Sequence, residues 1–549
     1  MVKRRNVLFG GAGLLAAWKT PAGVAQKPAG DGQKAVQPAA KGGKTRLPTK
    51  AELEAAEWRK RTPRQPKDIP DYEWDRYIRD VPEWLRDAKF GIYAHWGPYT
   101  QGTEKSGYTG GLNSWFAKFM YVKGHPYNRH HIKTRGPLSE KGYSDYFQTF
   151  TIPKFDPEEW ADLIAASGAK YAGPVAMHHD GFAMWDSELV KWNSMTSAAR
   201  RDIAGELIDA YRRRGLKIVA SHHHAHNIIG EYYGGRPGKP KDYPIDFNSE
   251  LSDPNFARLY GKFATQEEAE QYWLDVRKEF IVKYKPDQLW FDGGLRWLSE
   301  EILFEMTRFY YDFCDKEGIE GIISQKNDQI PRRVSILDFE RGGAPEIFPR
   351  PWQTDDSPGP WMYIEAMEFK GAEWVTPLLT DIVSKNGALL LNIAPLADGS
   401  IHPQQQQMLR ETGHWLRVNA EAIYGSRPWK VHYQGDKPHF YVKRNGPSKS
   451  YANYGPGDFR FTRSKDGRTL YMFAMGEPAG DVVVESLQMA ELARESGVTL
   501  LGQSRVLPLS KNAAGNVVIP ADKLIGGKAN TLKGPRVFKI IGLKRESRA

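Results

Sequence analysis

The stretch Lys285-Pro286-Asp287-Gln288-Leu289-Trp290-Phe291-Asp292-Gly293-Gly294 decides how the chain is read. Lys285 and Pro286 end a helical run. Gln288 to Phe291 is short, mostly apolar and aromatic, as expected of a strand buried in a parallel sheet. A carboxylate follows at once, then two glycines. A β/α barrel places its chemistry at strand C-termini, and the glycines leave room for a ligand to approach the Asp292 carboxylate. An Asp after a strand also caps helices and closes turns, so this stretch alone leaves both readings open.

Outward from it, short apolar runs alternate with longer amphipathic ones. Phe90–Ala94, Tyr171–Met177, Lys217–Ser221, Gln288–Phe291, Gly321–Ser324 and Ala388–Ile393 read as strands. Pro157–Ser167, Asp202–Arg214, Gln266–Tyr284, Ser299–Glu317 and Gln404–Asn419 read as helices. Such alternation predicts a parallel sheet wrapped by helices, here an irregular (β/α)8-like TIM barrel over residues 71–423. After Arg427-Pro428-Trp429 the runs shorten and alternate with period two, as in Thr469–Phe473, Val482–Val484 and Arg536–Ile541. Residues 424–549 are therefore expected to form a C-terminal antiparallel β-sandwich without a catalytic cluster of its own.

Upstream, residues 1–26 have the layout of a signal peptide. Lys3-Arg4-Arg5 is basic, Val7 to Trp18 is a short apolar run, and Gly23-Val24-Ala25 offers small residues for cleavage. The Arg4-Arg5 pair resembles a twin-arginine signal. The run is shorter than the roughly 20 residues a spanning helix needs, so no membrane span is expected and the mature chain is predicted to be periplasmic or secreted. Residues 27–70, rich in Pro, Ala, Gly, Lys and Gln, read as a disordered linker with a short helix near residues 50–61.

Composition narrows the function. The 549 residues suit two domains, and 17 Trp fit a cleft that stacks sugar rings, although most are expected in the core. The formal charge of +11 fits a generally basic soluble protein first, and also suits anionic partners such as a sulfated polysaccharide. No helix-turn-helix, zinc-finger or RNA-recognition motif is present, so nucleic acid is not expected. The single cysteine, Cys314, rules out an intrachain disulfide and reads as an inert buried thiol.

Four clusters lie at or near predicted strand C-termini: Tyr93 to Gly97; Met177 to Phe182 with Trp185-Asp186; Ser221 to Asn227; and Trp290-Phe291-Asp292. Histidine, tryptophan and carboxylate recurring there suit recognition of sugar hydroxyls and an apolar ring face. His178 and His179 also fit one core and one surface imidazole. The run His222-His223-His224 with His226 invites a zinc reading. Adjacent strand residues, however, point to opposite faces, so His222 and His223 cannot both face one ion, and no metal or other cofactor is expected.

The chain resembles the α-L-fucosidases of glycoside hydrolase family 29. The resemblance rests on Lys89-Phe90-Gly91-Ile92-Tyr93-Ala94-His95-Trp96-Gly97, on Phe155-Asp156 to Trp160, and on Gly168-Ala169-Lys170-Tyr171. It continues through His178-His179-Asp180-Gly181-Phe182 with Trp185-Asp186-Ser187, Pro351-Trp352-Gln353-Thr354-Asp355, Val383-Ser384-Lys385-Asn386-Gly387 and Leu391 to Pro395. It ends at Asn419 to Trp429.

The resemblance implies retaining hydrolysis of a terminal α-L-fucose from a glycan or polysaccharide, with one carboxylate as nucleophile and another as acid/base. It places the nucleophile at Asp292 and the acid/base at Glu340, with Glu346 as the alternative. His95, His178 and His179 become hydroxyl-binding residues, and Trp115, Trp290 and Trp352 substrate-binding aromatics. Ser114 departs from the pattern, since many members carry Glu there. The segment Ser221 to His226 departs too, and His222 or His223 is expected to touch the sugar or the next glycan residue. The family's sugar-binding Arg has no clear counterpart near Lys326-Asn327-Asp328. Hydrolysis of α-L-galactosides or sulfated fucans, and glycan binding without catalysis, are the alternatives.

Overall fold

The computed structural model describes residues 70–110, 113–228, 244–365, 367–443 and 449–544. The expected signal peptide and nearly all of the linker lie outside the described residues.

Eight parallel strands form the core: β1 (Phe90–Ala94), β2 (Tyr171–Met177), β3 (Lys217–His222), β4 (Gln288–Phe291), β5 (Ile322–Gln325), β6 (Ser335–Leu337), β7 (Trp352–Asp356) and β8 (Gly387–Ile393). They run in the order β6-β5-β4-β3-β2-β1-β8-β7. The remaining gap, between β6 and β7, is closed by a single parallel bridge from Asp338 to Gln353. The result is the irregular (β/α)8-like barrel that the alternation predicts. β1, β2, β4 and β8 are buried at every position, as parallel strands covered on both faces must be.

The helices between them carry their own start and stop signals. Asp156 caps α1 (Pro157–Ala166), accepting from the Glu158 and Glu159 amides, with Pro157 in the first turn. Asp202 caps α2 (Ile203–Arg213), and Thr265 caps α3 (Gln266–Tyr284). Lys285 then turns left-handed, with φ 47°, and Pro286 sends the chain into β4. Ser299 opens α4 (Glu300–Glu317), and Gly318, at φ 68°, closes it.

The strands β6 and β7 and one helix escape the sequence pattern. β7 reads Trp-Gln-Thr-Asp-Asp, yet all five residues are buried. Its polar groups pair inside the barrel: the Gln353 amide meets Gln288 and Asp338 at 2.9 and 3.0 Å. α5 (Ala372–Ser384) contains Pro377, a residue that ordinarily argues against a helix. α6 (Pro403–Ile423) completes the barrel wall.

Beyond it, a five-stranded antiparallel sheet is ordered Leu492–Leu500, Arg536–Leu543, Thr469–Ala474, Phe459–Arg463, Arg427–Gln434. A three-stranded sheet joins Val482–Gln488, Asn516–Ile519 and Ser510–Lys511. Residues of both sheets, including Phe461, Met472, Val484, Val517 and Phe538, share one apolar cluster, which makes the C-terminal unit a β-sandwich. An ion triad fastens it to the barrel. Asp381 of α5 accepts from Lys385 at 2.9 Å and from Arg460 of the sandwich at 2.6 Å.

Candidate active site

The C-terminal ends of the barrel strands converge on a pocket of about 100 Å³. Its floor is the carboxylate of Asp292, one residue past β4, whose side chain is 15% exposed. Three groups hold it. Lys326, one residue past β5, donates to Oδ1 at 2.8 Å. His179 Nε2 and His223 Nδ1 lie 3.2 and 3.4 Å from Oδ2. Burial alone would raise the Asp292 carboxyl, but the Lys326 ammonium and the His223 imidazole outweigh it and hold the group well below the usual carboxylate range. The floor is therefore an ionised carboxylate.

His223 is oriented from behind. Its Nε2 lies 2.7 Å from the Ser221 hydroxyl. Burial lowers the imidazole to about 4, so the ring is neutral, and a Ser221 O–H donated to Nε2 leaves Nδ1–H to face Asp292. The His179 Nδ1 meets the His223 carbonyl at 2.9 Å. Across the pocket, His95 Nδ1 is fixed at 2.8 Å by Asn392 of β8. Trp115 stacks on His179 with centroids 4.4 Å apart.

Lys326 is the hub. Beyond Asp292, its Nζ lies 3.3 Å from Glu340 Oε1 and 3.6 Å from Asp355 Oδ2. Burial would lower this ammonium, but Asp292, Asp355 and Glu340 together raise it well above its usual value. Glu340 leans in from the loop after β6 and is 45% exposed, so it reaches both the pocket and solvent. Its backbone is left-handed, as is that of Arg341, with φ 30° and 48°. Two bonds fix this turn: Glu340 N–H to Asp338 Oδ1 at 2.9 Å, and Arg341 N–H to the Asp355 carbonyl at 2.8 Å. A non-glycine pair held in that region stores strain at the functional loop. Asp355 itself is buried, and its Oδ2 accepts from the Tyr93 hydroxyl at 2.7 Å. Burial, with Asp338 and Glu340 nearby, pushes its carboxyl well above the usual range despite Lys326.

The pocket thus gathers His95, Trp115, His178, His179, Asp292 and Glu340, together with Ser114. Four expected residues sit elsewhere. Trp290 is fully buried beneath the pocket, donating its indole N–H to Asp338 at 2.9 Å and supporting Lys326 Nζ at 4.8 Å. His222 points out of the barrel, between Phe280 and Phe291; strand alternation gives the pocket position to His223 instead. Trp352 is buried against Phe339 and bonds the Lys385 carbonyl at 2.8 Å. Glu346 is 76% exposed and lies 3.3 Å from His432 of the sandwich.

Lys326, Asp355 and Trp361 line the pocket without having been singled out. Trp361 leans over His95 at 5.3 Å and carries the Arg341 guanidinium at 4.4 Å. For Lys326 the available signal was position, since it stands one residue past β5.

Two sets of donors have metal-ligand proximity. Ligand atoms of His95, His178 and His223 lie within 4.8 Å of one another, as do those of His179, His223 and Asp292. In the second set the Lys326 ammonium already occupies the carboxylate and opposes a cation.

A family model described as "Alpha-L-fucosidase" matches residues 61–421. Human tissue α-L-fucosidase is 28% identical over 368 residues, covering 65% of this chain and 72% of that one. An α-L-fucosidase of Dictyostelium discoideum is 28% identical over 376 residues, covering 65% and 75%. Among solved structures, Thermotoga maritima α-fucosidase in complex with a mechanism-based inhibitor superposes with a TM-score of 0.65 at 25% identity, covering 85% of this chain and 98% of that one. With two thirds of its length matched and its strand-end carboxylates and histidines gathered in one pocket, the chain belongs to the α-L-fucosidase family of glycoside hydrolases.

Proposed function

We propose that the protein is an exo-acting, retaining α-L-fucosidase with Asp292 as nucleophile and Glu340 as acid/base. The observation that carries this reading is the lysine between the two carboxyls. Asp292 Oδ1 and Glu340 Oε1 lie 2.8 and 3.3 Å from the same ammonium, so these oxygens are no more than about 6 Å apart. Retaining glycosidases set their two carboxyl groups about 5–5.5 Å apart, and inverting ones about 6.5–9.5 Å. An ionised floor carboxylate and a half-exposed partner also suit the two roles.

In the first step Asp292 attacks the anomeric carbon while Glu340 gives its proton to the departing glycosidic oxygen. A fucosyl ester on Asp292 and a Glu340 carboxylate result. In the second, Glu340 takes a proton from water, which opens the ester and restores Asp292. The negative charge therefore moves from Asp292 to Glu340 and back. Lys326, within reach of both, compensates it at either end without moving far. The small, closed-ended pocket suits a single terminal sugar, with His95, His178, His179 and the Trp115 and Trp361 faces around it. The basic charge of the chain suits a sulfated glycan as substrate, and its N-terminal sequence suits export to the periplasm or beyond.

The test is hydrolysis of an aryl α-L-fucoside by the wild type and by Asp292→Ala, Glu340→Ala and Glu346→Ala. Azide should rescue Asp292→Ala to give β-fucosyl azide and Glu340→Ala to give α-fucosyl azide, because it attacks from opposite faces in the two cases. Glu346→Ala should keep full activity. Loss in Glu346→Ala with full activity in Glu340→Ala would move the acid/base role to Glu346. A bound but uncleaved fucoside in the wild type would leave a glycan-binding protein.

A further inference from the structure

Of the histidine run at the end of β3, His223 lines the pocket, and His226 packs behind it on Trp115 and His179. His222 and His224 face away from it, toward α3, where they meet an unusual neighbour. Arg277 of α3 is 0% exposed. Its Nη1 donates to the Trp273 carbonyl at 3.0 Å and has a long contact, 3.5 Å, with His224 Nδ1. Its Nη2 reaches only the Met177 sulfur at 3.7 Å, and its Nε has no partner. No carboxylate pairs with it among the described residues, and the one group that raises its proton affinity is Tyr272. Burial lowers it to about 9, which still leaves it charged at neutral pH.

Beside it, His222 is 2% exposed, and neither of its ring nitrogens has a hydrogen-bond partner. After burial, Arg277 is the strongest influence on this imidazole, and together they hold it neutral. The two side chains share a wall. Met177, whose sulfur meets Arg277, is the strand partner of His222, next to a register shift that loosens the β2–β3 ladder. Trp273, which carries the guanidinium at 5.0 Å, packs on Phe291, and Phe291 stacks on His222.

Buried charges in folded proteins are paired, and buried N–H groups find acceptors. Here one positive charge and at least two N–H groups, on Arg277 Nε and on the neutral His222 ring, are left without an acceptor. The guanidinium excludes a metal cation from these histidines. A water molecule would satisfy a donor but leave the charge. We propose that Arg277 and His222 enclose a binding site for one small monovalent anion of the chloride class, between β3 and α3. One net positive charge in a closed apolar wall calls for a single negative charge, and a spherical ion needs no oriented donors. The site backs onto the pocket, since the His222 carbonyl accepts the Asp292 amide at 3.3 Å. It does not depend on which sugar the pocket takes.

The test uses the full chain in sodium chloride, bromide or gluconate at equal ionic strength. The halides should raise the thermal midpoint by about 3 °C over gluconate, in a response that saturates with concentration. Crystals grown in chloride, or soaked in bromide, should show an anomalous peak between Arg277 and His222. In Arg277→Met the halide response should vanish. Equal midpoints in chloride and gluconate, with no peak in either crystal, would overturn the proposal. A halide response that persists unchanged in Arg277→Met, with the peak elsewhere, would do so too. Should Arg277→Met fail to fold, the wild-type anomalous maps decide.

Discussion

Two buried charge clusters of this protein have opposite ledgers. At the seam between barrel and sandwich, one carboxylate, Asp381, is shared by two cations, Lys385 and Arg460, at 2.9 and 2.6 Å. In the pocket, one cation, Lys326, faces Asp292, Glu340 and Asp355 within 3.6 Å, with Asp338 acting from further away. Where cations outnumber carboxylates, every carboxyl is ionised and no proton is left to move. The seam is a fastening. Where carboxyls outnumber cations, they cannot all ionise in a dry site, so at least one keeps a proton. That surplus is what general acid catalysis requires. The sign of the imbalance separates a structural cluster from a chemical one.

The difference can be broken at either end. The largest effect is expected in the pocket: Asp292→Ala should lower kcat/KM on an aryl fucoside by at least about 10⁴-fold, as loss of a nucleophile does elsewhere. Next comes the hub. Lys326→Met should cost about 10³-fold, the scale of losing one preorganised charge partner. It should also move the pH profile. Lys326 holds Asp292 low, so without it Asp292 ionises only at higher pH, and the acid limb of kcat/KM should shift upward. Lys326→Arg should restore most of both. A uniform loss with an unmoved pH profile would reduce Lys326 to a packing residue.

At the seam the effect should appear in stability alone. Asp381→Ala leaves two buried cations unpaired and should cost about 3–5 kcal/mol by denaturant unfolding. The activity of each folded molecule should remain near wild type. The Asp381 carboxyl is depressed to about 2, below its unfolded value. Its contribution is therefore present above the unfolded pKa and lost as pH falls through about 4 toward 2. The wild type should lose stability over that window more steeply than Asp381→Ala.

How much of this was legible in sequence follows from the same physics. The apolar strands β1, β2, β4 and β8 and the capped helices α1 to α4 carry their signals locally. β7 does not: its Gln353, Thr354, Asp355 and Asp356 look like loop residues, and only the barrel interior supplies their partners. Asp355 was missed with it. Lys326 is not the arginine that the resemblance implies in this segment, although its place at the end of β5 marks it. Alternation showed that His222 and His223 must face opposite ways, but not which one faced in. That depends on strand register, which is set by neighbours far along the chain. Trp352 and Glu346 came from the resemblance, and a shared motif does not say which face of a strand or loop a side chain takes.

The smallest expected effect tests the surplus carboxyl itself. Asp355 touches the hub, yet burial and its acidic neighbours keep it protonated. Asparagine copies its neutral shape, so Asp355→Asn should change kcat by no more than a few-fold, far less than Lys326→Met. Stability gives the sharper reading. A carboxyl whose folded pKa is raised favours the fold below its unfolded pKa and loses that contribution as pH rises toward the folded value. At neutral pH the unfolded wild type gains by ionising Asp355, and the unfolded Asn variant cannot. Asp355→Asn should therefore be more stable than wild type at pH 7, and the two should converge below pH 4. An Asn variant less stable at pH 7, with activity down as far as in Lys326→Met, would mean that Asp355 is ionised and shares the lysine's charge. The pocket would then hold its spare proton on Glu340 alone.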